Sequence, residues 1–274
     1  MKKLGLGILI ALTVLALSGV AVAISNQGAE KSKAPDLEKI EFIHWKKDFA
    51  KPPCDNDGIC EPKLGENASC ADCKNGEEEP PTATCYAFLG QYGKTLLKWG
   101  KLPVSYVINP ANPQGLDADF VTSAVFNSAE TWDEATNKEL MNNAYTVTST
   151  ATYGVQDYQN AITFGNYPTA GVIAVTTVWY NPATKTIVEF DVMFDTDWAW
   201  GDLGNTESPP VEGATEMDLQ NIATHELGHG IGLGDVYETA CSAVTMYGYS
   251  DYGETQKRTL ETPDITGLQT LYGK

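Results

Sequence analysis

Histidine is scarce, with three in 274 residues, and so are basic side chains, 18 lysines and arginines against 36 aspartates and glutamates. The formal net charge is −18. A nucleic-acid surface needs a basic footprint, so nucleic acid is not an expected partner. The acidic balance instead favours solubility and offers oxygen ligands for calcium. No cysteine stands where a lipoprotein signal would need one. The length is enough for one or two domains with a sizeable core.

What is present changes in texture along the chain. Met1-Lys2-Lys3, an apolar run from Leu4 to Ile24 and Ala21-Val22-Ala23 make an export signal over residues 1–23. The run at 4–24 is also long enough to span a bilayer, at about 20 residues, so an uncleaved anchor is the alternative. The expected location is secreted, or anchored at the cell surface, with membrane contact only in the second case. Residues 24–53 are polar apart from Ile40, Phe42, Ile43, Trp45 and Phe49. They form either a stalk-like linker or a short pro-segment whose aromatic patch docks on the rest. His44, inside that patch, is expected to be a surface or packing histidine rather than a metal ligand.

Residues 54–85 carry Cys54, Cys60, Cys70, Cys73 and Cys85. So short a segment cannot build a core and needs staples, expected as disulfides among the first four cysteines, in any of three pairings. Zinc at Cys70-Ala71-Asp72-Cys73 is the rival. Asp55-Asn56-Asp57-Gly58 resembles the opening of a calcium loop, making Asp55 and Asp57 candidate calcium ligands. Asn67-Ala68-Ser69 is a glycosylation sequon, and Glu77-Glu78-Glu79-Pro80-Pro81 a linker. Cys85 and Cys241 remain, and a bridge between them would tie the entry of the following domain to its far end.

From Leu102 onward strand and helix patterns alternate. Strands are expected at 102–108, 144–152, 161–165, 171–180 and 186–194, and a helix at 117–135, where Phe120, Ala124, Phe126, Ala129 and Trp132 recur at helical spacing. A second helix starts near Met217-Asp218. It leads into His225-Glu226-Leu227-Gly228-His229. Two histidines four apart share one helix face and can meet one zinc ion, with Glu226 placed to act as general base on a zinc-bound water. Glycines at 230, 232 and 234 read as a helix end and a sharp turn, with Gly232 free to take φ > 0. The turn brings position 235 back towards the metal. The remaining histidine lies far upstream, so Asp235 is the expected third ligand.

The run from His225 to Asp235 resembles the metzincin metallopeptidase signature, H-E-x-x-H-x-x-G-x-x-H/D. Val244-Thr245-Met246-Tyr247-Gly248-Tyr249 looks like the Met-turn of the matrixins, and Thr262-Pro263-Asp264 to Gly273 closely resembles their last helix. The resemblance implies a matrixin-like zinc peptidase domain over 86–274. Its fold would be α+β, of the α/β metzincin type: a twisted, mixed, mostly parallel sheet of about five strands with an antiparallel edge strand, an active-site helix and a C-terminal helix. The small disulfide-rich module would precede it. Met246 would lie beneath the metal. The strand at Val172, Ile173, Ala174 and Val175 would be the edge to which an extended peptide substrate pairs.

The departures from the family matter too. Its structural-zinc histidine falls at Met193 and its calcium glutamate at Trp198, so one catalytic zinc is expected and no second. Asp195 and Asp197 remain candidate calcium ligands, while Trp198 and Trp200 read as packing. Gly248 replaces a proline usual in the wall of the specificity pocket. Tyr247 or Tyr249 is a weak candidate for steadying an oxyanion. The cysteine-switch sequence is missing, which favours a Cys85–Cys241 bridge over Cys85 as a thiolate plug. Three readings follow: an exported zinc endopeptidase, a non-catalytic peptide-binding protein on the same fold, and a zinc hydrolase for a non-peptide substrate. A blocked edge strand would favour the last.

Overall fold

The computed structural model describes residues 36–49, 84–89, 96–204 and 210–274. The export signal and the cysteine-rich segment, with Asp55 and Asp57, lie outside them. In chain order the elements are β1 (Glu38–Lys46), β2 (Ala87–Phe88), β3 (Lys98–Trp99), β4 (Tyr106–Ile108) and helix α1 (Ala118–Asp133). Next come β5 (Thr146–Val147), β6 (Asn160–Gly165), β7 (Val172–Asn181), β8 (Thr186–Asp195), β9 (Trp200–Gly201) and β10 (Met217–Asp218). Helix α2 (Leu219–Gly230), β11 (Leu233–Gly234), β12 (Tyr249–Ser250) and helix α3 (Thr262–Tyr272) complete the chain.

The main sheet runs β12-β1-β7-β8-β6-β4-β5, with β3 also on β8. Strands β4, β6 and β8 are mutually parallel and β7 returns antiparallel to β8. This is the mixed, mostly parallel sheet that the sequence implies. Strand β7 reads as a continuous apolar and β-branched run because both of its faces are buried. Helices α1 and α2 pack on one face. Trp132 of α1 donates its indole N–H to the Thr224 carbonyl at 2.8 Å, and Ser128 Oγ donates to the Gln220 carbonyl at 3.1 Å.

Of the two readings of residues 24–53, the described part behaves as a segment docked on the rest: residues 38–46 form β1, antiparallel to β7 through eight register pairs from Glu38↔Tyr180 to Trp45↔Val172. The apolar positions alternate, as a strand requires. Ile40 and Phe42 pack on the main core, Ile43 and Trp45 on the opposite cluster with Val175 and Met193. Consequently the reading of β7 as an edge needs correction. The backbone groups of Val172, Ala174 and Val175 that were expected to be free are paired with β1, and β12 lies parallel to β1 on its far side, with Trp45↔Tyr249. Residues 38–46, upstream of position 86, thus belong to the main sheet.

Candidate functional site

Helix α2 begins where Asp218 caps it, accepting the Asn221 N–H at 2.8 Å. Arg258 pins that carboxylate, its Nε 2.7 Å from Oδ1. The helix ends at Gly230, the first of the three glycines, as the sequence implies. Within it, a Cβ on Gly228 would collide with Met246 Sδ and stand 2.8 Å from Trp132 Cζ2. A glycine there is a packing requirement, since it lets α1 and the Met246 turn close on the helix. The turn itself falls at Gly232, with φ +114°, where a Cβ would lie 2.8 Å from the Leu97 carbonyl oxygen.

This turn brings Asp235 to the two histidines. His225 Nε2 and His229 Nε2 are 3.2 Å apart, and Asp235 Oδ1 is 3.1 Å and 3.5 Å from them. All three side chains are buried. His225 Nδ1 donates to the Thr245 carbonyl at 2.7 Å and His229 Nδ1 to the Leu233 carbonyl at 3.0 Å. A carbonyl only accepts, so in each neutral ring the proton sits on Nδ1 and the lone pair on Nε2 faces inward. Three lone-pair atoms therefore converge with no proton between them, and Asp235 Oδ1 is a buried oxygen without a hydrogen-bond donor. A tetrahedral zinc site with bonds of about 2.0–2.1 Å separates its ligand atoms by about 3.3 Å, so His225, His229 and Asp235 fit zinc.

The support around these ligands is more distant in sequence. Tyr237 Oη donates to Asp235 Oδ2 at 3.0 Å, turning Oδ1 towards the imidazoles. The Tyr237 ring fills the space beside Gly248, where any Cβ would collide with it. Here lies the physical reason for a glycine at that position. Buried Asp264 of α3 accepts the Thr245 and Met246 backbone N–H groups at 2.9 and 3.1 Å. It holds Met246, fully buried against Gly228 of α2, and the carbonyl that orients His225. A Cys85–Cys241 disulfide secures the same region.

Glu226 lies beside the ligands and accepts from Thr176 Oγ1 of β7 at 2.5 Å. Burial pushes its carboxyl up to about 7, against the pull of His229 and Thr176. Its other oxygen meets His44 Nδ1 at 3.0 Å. His44 is therefore neither a surface residue nor a bystander. It is buried, its ring centroid 4.0 Å from that of His225, and Phe42 stacks on His229 at 4.1 Å. Lys257 Nζ lies 3.1 Å from His44 Nε2, and Ser250 Oγ lies 3.0 Å from it. An ammonium only donates, so Nε2 accepts and His44 donates from Nδ1 to Glu226.

Among the described residues, three or more His, Cys, Asp or Glu side chains converge as metal ligands only in His225/His229/Asp235 and the overlapping His44/His225/Glu226. Asp195 and Asp197 are not brought into either. Asp195 accepts the Asp197 and Tyr167 backbone N–H groups, and Asp197 accepts the Asn166 amide, so both carboxylates close a loop. Trp200 is buried and Trp198 donates to the Val172 carbonyl. Tyr247 and Tyr249 accept Lys257 through their carbonyls, at 2.5 and 3.0 Å. Sequence reasoning missed His44, Thr176, Tyr237, Ser250 and Lys257 as site residues. Only the strand-like alternation around His44 hinted at one of them.

The matrixin family profile matches residues 98–273. Stromelysin-1 of Mus musculus is 28% identical over 181 residues, which are 64% of this chain and 33% of that protein. Metalloendoproteinase 1 of Glycine max is 39% identical over 80 residues, 29% of this chain and 24% of that protein. Matrilysin of Homo sapiens is 33% identical over 84 residues, 31% of this chain and 27% of that protein. The chain thus spans a third or less of the length of these relatives. With the family profile covering most of its length and the zinc-binding geometry falling inside the match, the chain belongs to the matrixin family of metallopeptidases.

Proposed function

We propose that this protein is an exported zinc-dependent endopeptidase whose residues 38–46 are a pro-segment held in its own cleft. The observation that carries the reading is the convergence of His225 Nε2, His229 Nε2 and Asp235 Oδ1, each turned inward by its outer hydrogen bond, with Glu226 beside them. Zinc bound there would polarise the scissile carbonyl and acidify water. Glu226 takes the proton of the attacking water and delivers it to the leaving amine. Thr176 fixes the carboxylate for that exchange. Met246 supports the site from below, with no direct part in it.

Blocking of β7 would, by itself, favour a non-peptide substrate. The blocker, however, is a peptide strand using the backbone pairing that a peptide substrate needs. It therefore supports an extended peptide or protein substrate, which must displace β1 to reach Glu226. Calcium ligation by Asp55 and Asp57, and by Asp195 and Asp197, is carried as a separate proposal.

The test compares the full chain with a form lacking residues 24–53, which removes β1 but keeps the Cys85–Cys241 bridge, each with and without Glu226→Ala. One zinc per chain and cleavage of an unfolded protein that the substitution abolishes are expected, with faster cleavage in the shortened form. Zinc bound without cleavage in either form would point to the peptide-binding reading. No zinc would refute the ligand set.

A further inference from the structure

The pocket that His44 fills has a chemistry of its own. One wall is the His225 ring and another is β12, and its floor is Lys257. Lys257 belongs to the 3-10 turn Gln256–Arg258, and its backbone N–H donates to Asn221 Oδ1 of α2 at 2.7 Å, so it is tied to the active-site helix. Its side chain is fully buried. Its ammonium donates to the Tyr247 carbonyl, the Tyr249 carbonyl and His44 Nε2, all of them uncharged acceptors. Ser250 adds a fourth polar group at the same imidazole nitrogen.

Burying an ammonium costs free energy unless it is hydrogen-bonded and, better, paired with a charge. Burial accordingly pushes Lys257 down to about 8. Two of its three protons are satisfied by the pocket's own carbonyls, and the third by whatever side chain occupies the pocket. An apolar occupant leaves that N–H and the Ser250 hydroxyl unpaired. A carboxylate satisfies both and puts an anion in direct contact with the ammonium, which Glu254, Asp235 and Glu226 otherwise offset only from a distance. Glutamate carries its oxygens about as far from the backbone as histidine carries Nε2. A lysine or arginine would meet like charge.

We infer that Lys257 and Ser250 form a specificity pocket beside the scissile bond that selects a substrate residue with a hydrogen-bond-accepting side chain, glutamate above all. His44 is its resident stand-in. Because His44 Nδ1 reaches Glu226 at 3.0 Å, the pocket residue adjoins the bond on which Glu226 acts. This inference rests on the peptidase reading. Direct hydrogen-bond selection of this kind separates an acceptor from an apolar residue by about 10–100-fold.

The experiment uses the full chain and four quenched-fluorescence peptides that differ only at the pocket position: Glu, Gln, Leu and Lys. Mass spectrometry identifies the bond cut. Strand β1 lowers the open fraction equally for every peptide, so ratios of kcat/KM are independent of it. Glu is expected to exceed Leu by about 10-fold or more, with Gln between them and Lys last. Lys257→Met should reverse the Glu-to-Leu order, and Lys257→Arg should keep it. Should the Met variant fail to fold, Lys257→Gln, which keeps a donor without the charge, should narrow the ratio. Leu equal to or above Glu in the unaltered chain, or a ratio unchanged by loss of the ammonium, would overturn the inference. If no peptide is cut by the full chain or by the form lacking residues 24–53, the peptidase reading falls separately. Binding of the same peptides then reads the pocket, with tighter Glu than Leu supporting it and the reverse order refuting it.

Discussion

Replacing His44 by alanine should raise the activity of the intact chain. The imidazole makes three hydrogen bonds in the cleft, to Glu226 at 3.0 Å, Lys257 at 3.1 Å and Ser250 at 3.0 Å, and rests on the His225 ring. Bonds to charged partners contribute about 1.5–3 kcal/mol each, but water entering the vacated pocket restores part of that. A net loss of about 3 kcal/mol is reasonable, or about 100-fold in the ratio of closed to open cleft. Where the closed form dominates, peptide hydrolysis rises by that factor. The backbone ladder to β7 survives the substitution, so the cleft is not fully freed. Lys39→Ala is the control. Lys39 is exposed on the same strand and its ion pair to Glu41 is 3.9 Å long, so a change below about twofold is expected. Hydrolysis of a fluorogenic peptide is followed while mass spectrometry verifies that the chain is uncut. An uncut, zinc-loaded His44→Ala chain no faster than its parent would refute the idea that β1 occludes the site.

Three further outcomes follow from the geometry. Tyr237→Phe removes the 3.0 Å bond that orients Asp235 and should weaken zinc binding by about 10–100-fold in chelator competition; an affinity within twofold of the parent would show that Asp235 needs no such support. Gly228→Ala gains about 1 kcal/mol of helix propensity but forces a methyl against Met246 and Trp132, at about 1–3 kcal/mol, so urea unfolding should show a net loss of stability, and a gain would contradict the packing. Burial pushes Asp191 up to about 7 although it accepts the Gly154 and Ala161 backbone N–H groups. Between about pH 4 and 7 the folded chain thus keeps a proton that the unfolded chain has released, and this group's contribution to stability falls as pH rises. Asp191→Asn should remove that fall, seen as a smaller difference between urea midpoints at pH 4.5 and 7.5; an identical difference in both proteins would contradict the raised value.

Sequence alone determined the helix that carries His225, Glu226 and His229. Histidines at i and i+4 meet on one face whatever surrounds them, and a glycine turn six residues long returns Asp235 to that face. The helix α1 and the strands β6, β7 and β8 were legible for the same reason, since periodicity records which side of an element is buried, whereas the final helix was legible through its resemblance to that of the matrixins. The glycines were legible only in part. Gly232 announced a turn through its own backbone, whereas Gly228 is small because of Met246 and Trp132, which the local sequence does not reveal. The occupant of the cleft was decided by the tertiary structure alone. Strand β1 pairs with residues more than 120 positions away, and the pocket around His44 is assembled from Glu226, Ser250 and Lys257 on three separate elements. Backbone pairing between strands is nearly indifferent to side-chain identity, so nothing in the residues of 38–46 states which edge they cover. A lone histidine in an aromatic patch acquires its meaning only when the sheet carries it over Glu226.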